Sequence, residues 1–192
     1  RTAWENYYSS RQNPTGSSIF VLNCLFNSFT SSNGGGALYC TSASYFLVES
    51  TSFFSCKTRD VWGGAIFFSS DSGQSVLYNV CGNDCCSTYT SGNSHSHFAH
   101  ISVYNVASYK NYVNYSSIAR CVNERSDSYY TLRLDYAKIL CPSVNMSMNK
   151  CAYRTFYYYP YSDSKSVTCS FTYSTFADNN VSVHTTFFLY RG

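Results

Sequence analysis

The segment Gly35-Gly36-Ala37-Leu38-Tyr39 returns further on as Gly63-Gly64-Ala65-Ile66-Phe67, and the same offset sets Asn23-Cys24-Leu25-Phe26 against Thr51-Ser52-Phe53-Phe54. Two different motifs sharing one offset mark an internal repeat. A unit of that length cannot bury its apolar face alone, so it must stack on copies of itself. The choice of residues favours strands over helices: 20 Tyr, 14 Phe and many Ser and Thr stand against 2 Met and few Glu or Lys. β-Branched and aromatic residues suit extended chain, and Ser and Asn suit the turns between.

A second pattern runs further along the chain: a small polar residue, an apolar one, two variable positions, then Cys or Asn. Ser52-Phe53 leads to Cys56, Ser117-Ile118 to Cys121, Ser147-Met148 to Cys151 and Thr175-Phe176 to Asn179. Cys24-Leu25 leading to Ser28 is a weaker copy, and Cys86 stands about one repeat after Cys56. The spacing of these anchors is nearly constant except between Cys86 and Cys121, where it widens. That places an insertion within 82–117, at the polar run Ser87 to Ser94. Between the anchors lie strand-length runs such as Ile19-Phe20-Val21-Leu22, Tyr45-Phe46-Leu47-Val48 and Tyr130-Thr131-Leu132-Arg133-Leu134. Two or three strands per repeat with no helical period predict an all-β, single-stranded solenoid. The expectation is a parallel β-helix of about six turns of roughly 28–35 residues. Residues 1–192 are expected to form one domain, a segment of a longer chain. A β-sandwich is the competing architecture, since strand signals also recur every 8–12 residues or so there.

In this scheme Gly35, Gly36, Gly63 and Gly64 make tight corners before an apolar strand. Phe53, Ile118, Met148 and Phe176 are expected to point inward and stack, followed by an inner ladder of Cys56, Cys121, Cys151 and Asn179. The pairing of Gly-Gly-Ala-[Leu/Ile] with Phe-x-x-[Asn/Cys] resembles the repeats of chlamydial polymorphic outer-membrane proteins. It is still more similar to the Pmp-like right-handed β-helix proteins of trichomonad protists. The Gly-Gly motifs fall within residues 23–68, the Phe-x-x-[Cys/Asn] echo reaches Asn179, and no Gly-Gly pair follows Gly64. The resemblance implies a right-handed coil, a surface or secreted location and an adhesive role. It transfers no catalytic residues.

Charge excludes more than it suggests. Only 12% of residues are charged, against about 25% in ordinary domains, and the net charge is +3 with no basic run. Nucleic-acid binding needs a concentrated positive surface, so no nucleic-acid partner is expected. No apolar stretch approaches the length of a membrane-spanning helix, and membrane association is expected only through segments outside this chain.

Several constellations could carry chemistry. Cys81, Cys85 and Cys86 followed by His95, His97 and His100 hold enough thiolate and imidazole for zinc, but their spacing does not match paired zinc ligands, and neither metal nor cofactor is expected. An inner ladder would bring Cys121 to Cys151 and Cys56 to Cys86 within bridging distance, although mostly free thiols are the expectation. Of ten acids only Glu124 and Asp127 are near neighbours, in a turn. Paired carboxylates of the kind polysaccharide hydrolases use therefore do not recur one turn apart. Tyr157, Tyr158, Tyr159 and Tyr161 could form a ligand face, since tyrosine offers a flat apolar surface with a polar tip. Asn114, Asn145 and Asn180 head Asn-x-Ser sequons. The expectation is a non-enzymatic surface or secreted solenoid that adheres to a host protein or glycan. A carbohydrate-active enzyme and a structural spacer are the alternatives.

Overall fold

The computed structural model describes residues 2–4, 7–8, 10–59, 62–88, 96–104, 106–122, 129–159 and 169–183. They form a parallel β-solenoid, and among them there is no helix. Three parallel sheets run the length of the coil. Sheet 1 stacks Thr2–Trp4, Ser18–Leu22, Tyr45–Glu49, Gln74–Tyr78, Lys110–Asn114, Lys138–Pro142 and Cys169–Thr172. Sheet 2 stacks Tyr7–Tyr8, Leu25–Asn27, Ser52–Phe54, Cys81–Asn83, Ser117–Ala119, Asn145–Ser147 and Thr175–Ala177. Sheet 3 has five strands: Leu38–Cys40, Ile66–Ser69, Ser96–Ser102, Tyr130–Asp135 and Arg154–Tyr159. Five turns are thus complete, with partial turns at both ends.

Burial explains why such a chain coils. In the first complete turn the inward residues are Ile19, Val21, Cys24, Phe26, Phe29 and Ser31, all buried. A plain strand would alternate by two, whereas here every second step is three. The extra residue is a corner in the left-handed region. Asn23, Ser50, Asn79, Tyr115, Ser143 and Tyr173 turn the chain into sheet 2; Ser28, Ser55, Asp84, Arg120, Met148 and Asp178 turn it out again, all with φ between 48° and 63°. Each corner swings the backbone while keeping the next alternate residue pointing inward.

Those corners leave backbone N–H groups that the ladder does not reach, and side chains from the next turn accept them. The Cys24 N–H donates to Thr51 Oγ1 at 3.3 Å, Val80 N–H to Ser116 Oγ at 3.1 Å and Val144 N–H to Ser174 Oγ at 3.2 Å. At the second corner the Cys121 N–H donates to Asn149 Oδ1 at 3.0 Å and the Asn149 N–H to Asn179 Oδ1 at 3.1 Å. A buried amide without a partner costs about 1–3 kcal/mol, which accounts for polar residues inside this core.

The register corrects the sequence reading in detail. The central column of sheet 2 is Phe26, Phe53, Gly82, Ile118, Met146 and Phe176, with its widest step between Gly82 and Ile118. The step from Phe26 to Phe53 is one shorter than the step from Leu38 to Ile66 in sheet 3, so the offset read from the sequence holds for the glycine motif alone. Met148 is not inward; it sits at a corner, 43% exposed, and Met146 takes the buried place. The column after it runs Phe29, Cys56, Cys85, Cys121, Asn149, Asn179. Cys85, not Cys86, therefore follows Cys56, and Asn149, not Cys151, follows Cys121. Cys86 pairs instead with Lys57, and Cys151 with Val181.

Packing adjusts to each layer. Phe26 and Phe53 stack with centroids 5.0 Å apart and ring planes at 3°. Where Gly82 replaces the aromatic, Phe98 from sheet 3 fills the space, and a Cβ on Gly82 would lie 2.3 Å from that ring. Phe98 also meets Phe53 edge-on at 6.0 Å. Left-handed φ costs a non-glycine residue about 1–2 kcal/mol, less for Asn. Met148→Asn is accordingly expected to stabilise the fold by roughly 0.5–1 kcal/mol, raising the melting temperature measured by circular dichroism.

Candidate functional site

Side chains on the outer face of sheet 3 form the densest functional constellation. Its strands bury Leu38, Ile66, Ala99, Leu132 and Phe156 in one register and present Tyr39, Phe67, His100, Arg133 and Tyr157 outward in the next. These outward residues interact from turn to turn. The Arg11 guanidinium lies over Tyr39, 4.7 Å from the ring centroid, and Tyr39 stacks on Phe67 at 5.2 Å. Trp62 also stacks on Phe67, at 5.1 Å, and the His100 ring meets Phe67 edge-on at 5.6 Å. Further along, Arg133 sits over both Tyr130 and Tyr157, whose rings stack 4.5 Å apart, and Arg154 lies 5.7 Å from Tyr157.

Between these aromatic ends lies a charged group. The Arg133 Nε–H donates to both oxygens of Asp135 at 2.8 and 3.1 Å, and His100 Nε2 lies 3.0 Å from Asp135 Oδ2. Asp135 is 4% exposed, His100 7% and the neighbouring Phe67 6%, so the middle of this face is buried while Tyr39, Arg133 and Tyr157 reach solvent in part. Asn111, from inside sheet 1, donates its Nδ2–H to the Asp135 carbonyl at 3.0 Å and locks that strand to the core.

Burial lowers the His100 pKa from its ordinary value near 6.5, and the Asp135 contact opposes that shift only in part. A depressed histidine stabilises the fold fully above the unfolded value and loses that contribution as pH falls toward the folded one, because the unfolded chain takes the proton first. Wild-type melting temperature is therefore expected to drop between pH 7.5 and 5.5, and to drop less in His100→Gln. Equal drops in differential scanning fluorimetry would count against this role.

At the end of the stripe formed by Arg11 a cleft of about 420 Å³ opens, bounded by Arg11, Asn13, Asn33, Tyr39, Thr41 and Trp62. Arg11 is held rigidly there: its Nε–H donates to the Gly35 carbonyl at 2.8 Å and its Nη2–H to the Gly34 carbonyl at 2.7 Å. The Gly-Gly corner that builds the coil thus also orients the cleft's cation.

No protein-family model, no curated protein and no solved structure matches the chain. Its chemistry must be read from the site itself.

The expected tyrosine face is divided by strand alternation. Tyr157 and Tyr159 lie half-buried on the outer side, whereas Tyr158 is 1% exposed and packs inward against Phe156 and Phe171. Tyr161 lies outside the described residues, as do His95, Glu124 and Asp127. Among the described residues no three of His, Cys, Asp and Glu converge as metal ligands. Cys85 faces the core column, while His100 belongs to Asp135. No disulfide joins the ten cysteines; eight are buried, and Cys81 and Cys169 are half-buried. Cys56, Cys85 and Cys121 lie in successive layers, and each thiol donates to the carbonyl two residues before it, at 3.4–3.5 Å. Burial raises the Cys85 thiol far above its ordinary value; the Cys121 contact adds to that shift and the Cys56 contact opposes it only in part, so the thiol stays protonated and unreactive. Of the sequons, Asn145 and Asn180 are exposed and Asn114 is half-buried.

Sequence reading misses Arg11, Trp62, Arg133 and Asp135. A usable signal is present: the residue after each inward Leu or Ile of sheet 3 marks the outer column, and Tyr39, Phe67 and Arg133 all sit at that position.

Proposed function

We propose that the chain is a non-enzymatic solenoid segment, displayed on a cell surface or secreted, that adheres to glycans through the outer face of sheet 3. The supporting observation is the set of partly exposed side chains Arg11, Tyr39, Trp62, Tyr130, Arg133 and Tyr157, held in place by the buried Phe67 and His100 of the same outward column. Aromatic faces stack on the C–H faces of sugar rings, and guanidinium groups donate to their oxygens. Placing such groups on strands of a rigid coil fixes their spacing before any ligand arrives, which limits the ordering cost of binding. The resemblance to Pmp-like repeats favours the surface location.

Against catalysis stands the arrangement of acids among the described residues. Asp135 is neutralised by Arg133 and hydrogen-bonded to His100, while Glu49, Asp71, Asp84 and Asp178 lie on sheet 1, in a turn or at corners. Sugar hydrolysis ordinarily uses two carboxylates flanking one bond.

A glycan array and a cell-adhesion assay on the purified chain test this reading. Binding is expected, and Tyr157→Ala is expected to weaken it about tenfold, the loss of one stacking contact of roughly 1.5 kcal/mol. Tyr173→Ala, at a corner residue 94% exposed on another face, should leave it unchanged. Turnover of polyuronides would favour the enzyme. Binding to neither glycans nor cells would leave a spacer.

A further inference from the structure

The cleft at one end of the aromatic stripe has a chemical character that the rest of the face lacks. Trp62 is 39% exposed at its mouth and rests on Phe67, so its ring is oriented by packing. Asn13, Asn33 and Thr41 bring amide and hydroxyl groups, the usual partners of sugar hydroxyls, to the same walls. Arg11 is the single charged side chain among the described residues that line it. Two of its five N–H donors are taken by the Gly34 and Gly35 carbonyls, and neither acceptor carries a formal charge. A fixed cation beside an aromatic platform and a set of neutral hydrogen-bonding groups, without a carboxylate among those residues, is complementary to a sugar that carries its own negative charge.

We infer that this cleft is a subsite for an acidic monosaccharide unit, a pyranose bearing a carboxylate, with the sugar ring against Trp62 and the carboxylate facing Arg11. The inference rests on the glycan-binding reading and narrows it. An outer-face stripe of aromatics alone would take neutral and acidic sugars alike. The anchored guanidinium adds discrimination, because a charge-assisted hydrogen bond in a partly enclosed cleft is stronger than a neutral one. The cleft volume accommodates one or two sugar rings and not a folded partner. Its position beside the first Gly-Gly corner ties selectivity to the same residues that set the coil.

Methyl β-glucuronide and methyl β-glucoside differ only in the group at C6 and provide the test. Titration of each into the intact chain, followed by tryptophan fluorescence and by saturation-transfer NMR, is expected to show the glucuronide binding roughly tenfold tighter at low salt. That preference should shrink as salt rises. Arg11→Gln should abolish the preference by weakening the glucuronide far more than the glucoside, and Trp62→Ala should weaken both sugars to a similar degree. Thermal melts establish that each variant is folded. Should Arg11→Gln unfold, the wild-type preference and its salt dependence still decide the matter. Equal affinity for the two sugars, or a preference that survives in folded Arg11→Gln, would overturn the acidic-sugar assignment and leave the broader adhesive reading standing. Binding of neither sugar here, with glycan-array binding that Tyr157→Ala abolishes, would also overturn the subsite alone. No glycan binding in either assay would overturn both.

Discussion

Gly64→Ala is expected to lower unfolding free energy by about 3–5 kcal/mol, among the largest effects of any single substitution in this chain. A Cβ there would stand 2.0 Å from the His97 carbonyl oxygen and 2.5 Å from the Cys86 carbonyl carbon. Both are backbone atoms of the next turn, held by their own ladders, so no side-chain rotation relieves the contact. Gly36 repeats the situation one turn earlier, with a Cβ 2.1 Å from the Gly64 carbonyl oxygen. Gly34→Ala is the control. Its nearest contact is 3.1 Å, so a shift of a few tenths of an ångström accommodates the methyl group. With 1 kcal/mol worth about 2–4 °C for a chain of this size, Gly64→Ala should melt roughly 10 °C lower than wild type and Gly34→Ala only slightly lower. Similar melting points for the two variants would show that the coils do not approach each other as closely as described.

Asn149→Ala is expected to cost a comparable amount, for a different reason. Asn149 is 1% exposed and serves three partners at once. Its Oδ1 accepts the Cys121 N–H at 3.0 Å, and its Nδ2–H groups reach the Ile118 carbonyl at 3.0 Å and Asn179 Oδ1 at 2.9 Å. Alanine would leave a buried amide, a buried carbonyl and a side-chain oxygen without these bonds, at about 1–3 kcal/mol for each that water cannot reach. Denaturant unfolding should show a lower midpoint with little change in slope. Cys fills the same column position at Cys56, Cys85 and Cys121. Asn149→Cys should therefore lose less than Asn149→Ala, since the thiol fills part of the volume and donates to a local carbonyl.

These two positions illustrate what the sequence discloses. Gly-Gly before an apolar pair signals the coil because no other residue permits the close approach of successive turns, and the parallel solenoid follows from that motif and its return. The Asn at the end of Phe176-x-x-Asn179 is legible as a ladder residue for the same reason. Its partner Asn149 is not, because Met148 reads as the apolar residue of that turn. Left-handed corners usually announce themselves with Gly or Asn. Here Tyr115, Arg120, Met148 and Tyr173 occupy them, and nothing in their side chains marks the turn. An unmarked corner hides where the inward alternation breaks, so Met148 reads as the inward residue in place of Met146 and Cys151 as a column member in place of Asn149. Gly82 is hidden by compensation, since the aromatic its layer needs comes from Phe98 across the coil. The binding face is half legible: Tyr157 stands out in its tyrosine run, but its partners Arg133 and Tyr130 come from the previous turn, and Arg11 meets Tyr39 only because the turns stack.

Interstrand nuclear Overhauser effects on isotope-labelled protein test the stacking most directly. Hα-to-amide contacts are expected to tie Gly82 to Phe53 on one side and to Ile118 on the other, each a full turn away along the chain. Close Hα–Hα contacts between strands adjacent in sequence, as hairpins of a β-sandwich would give, would contradict it.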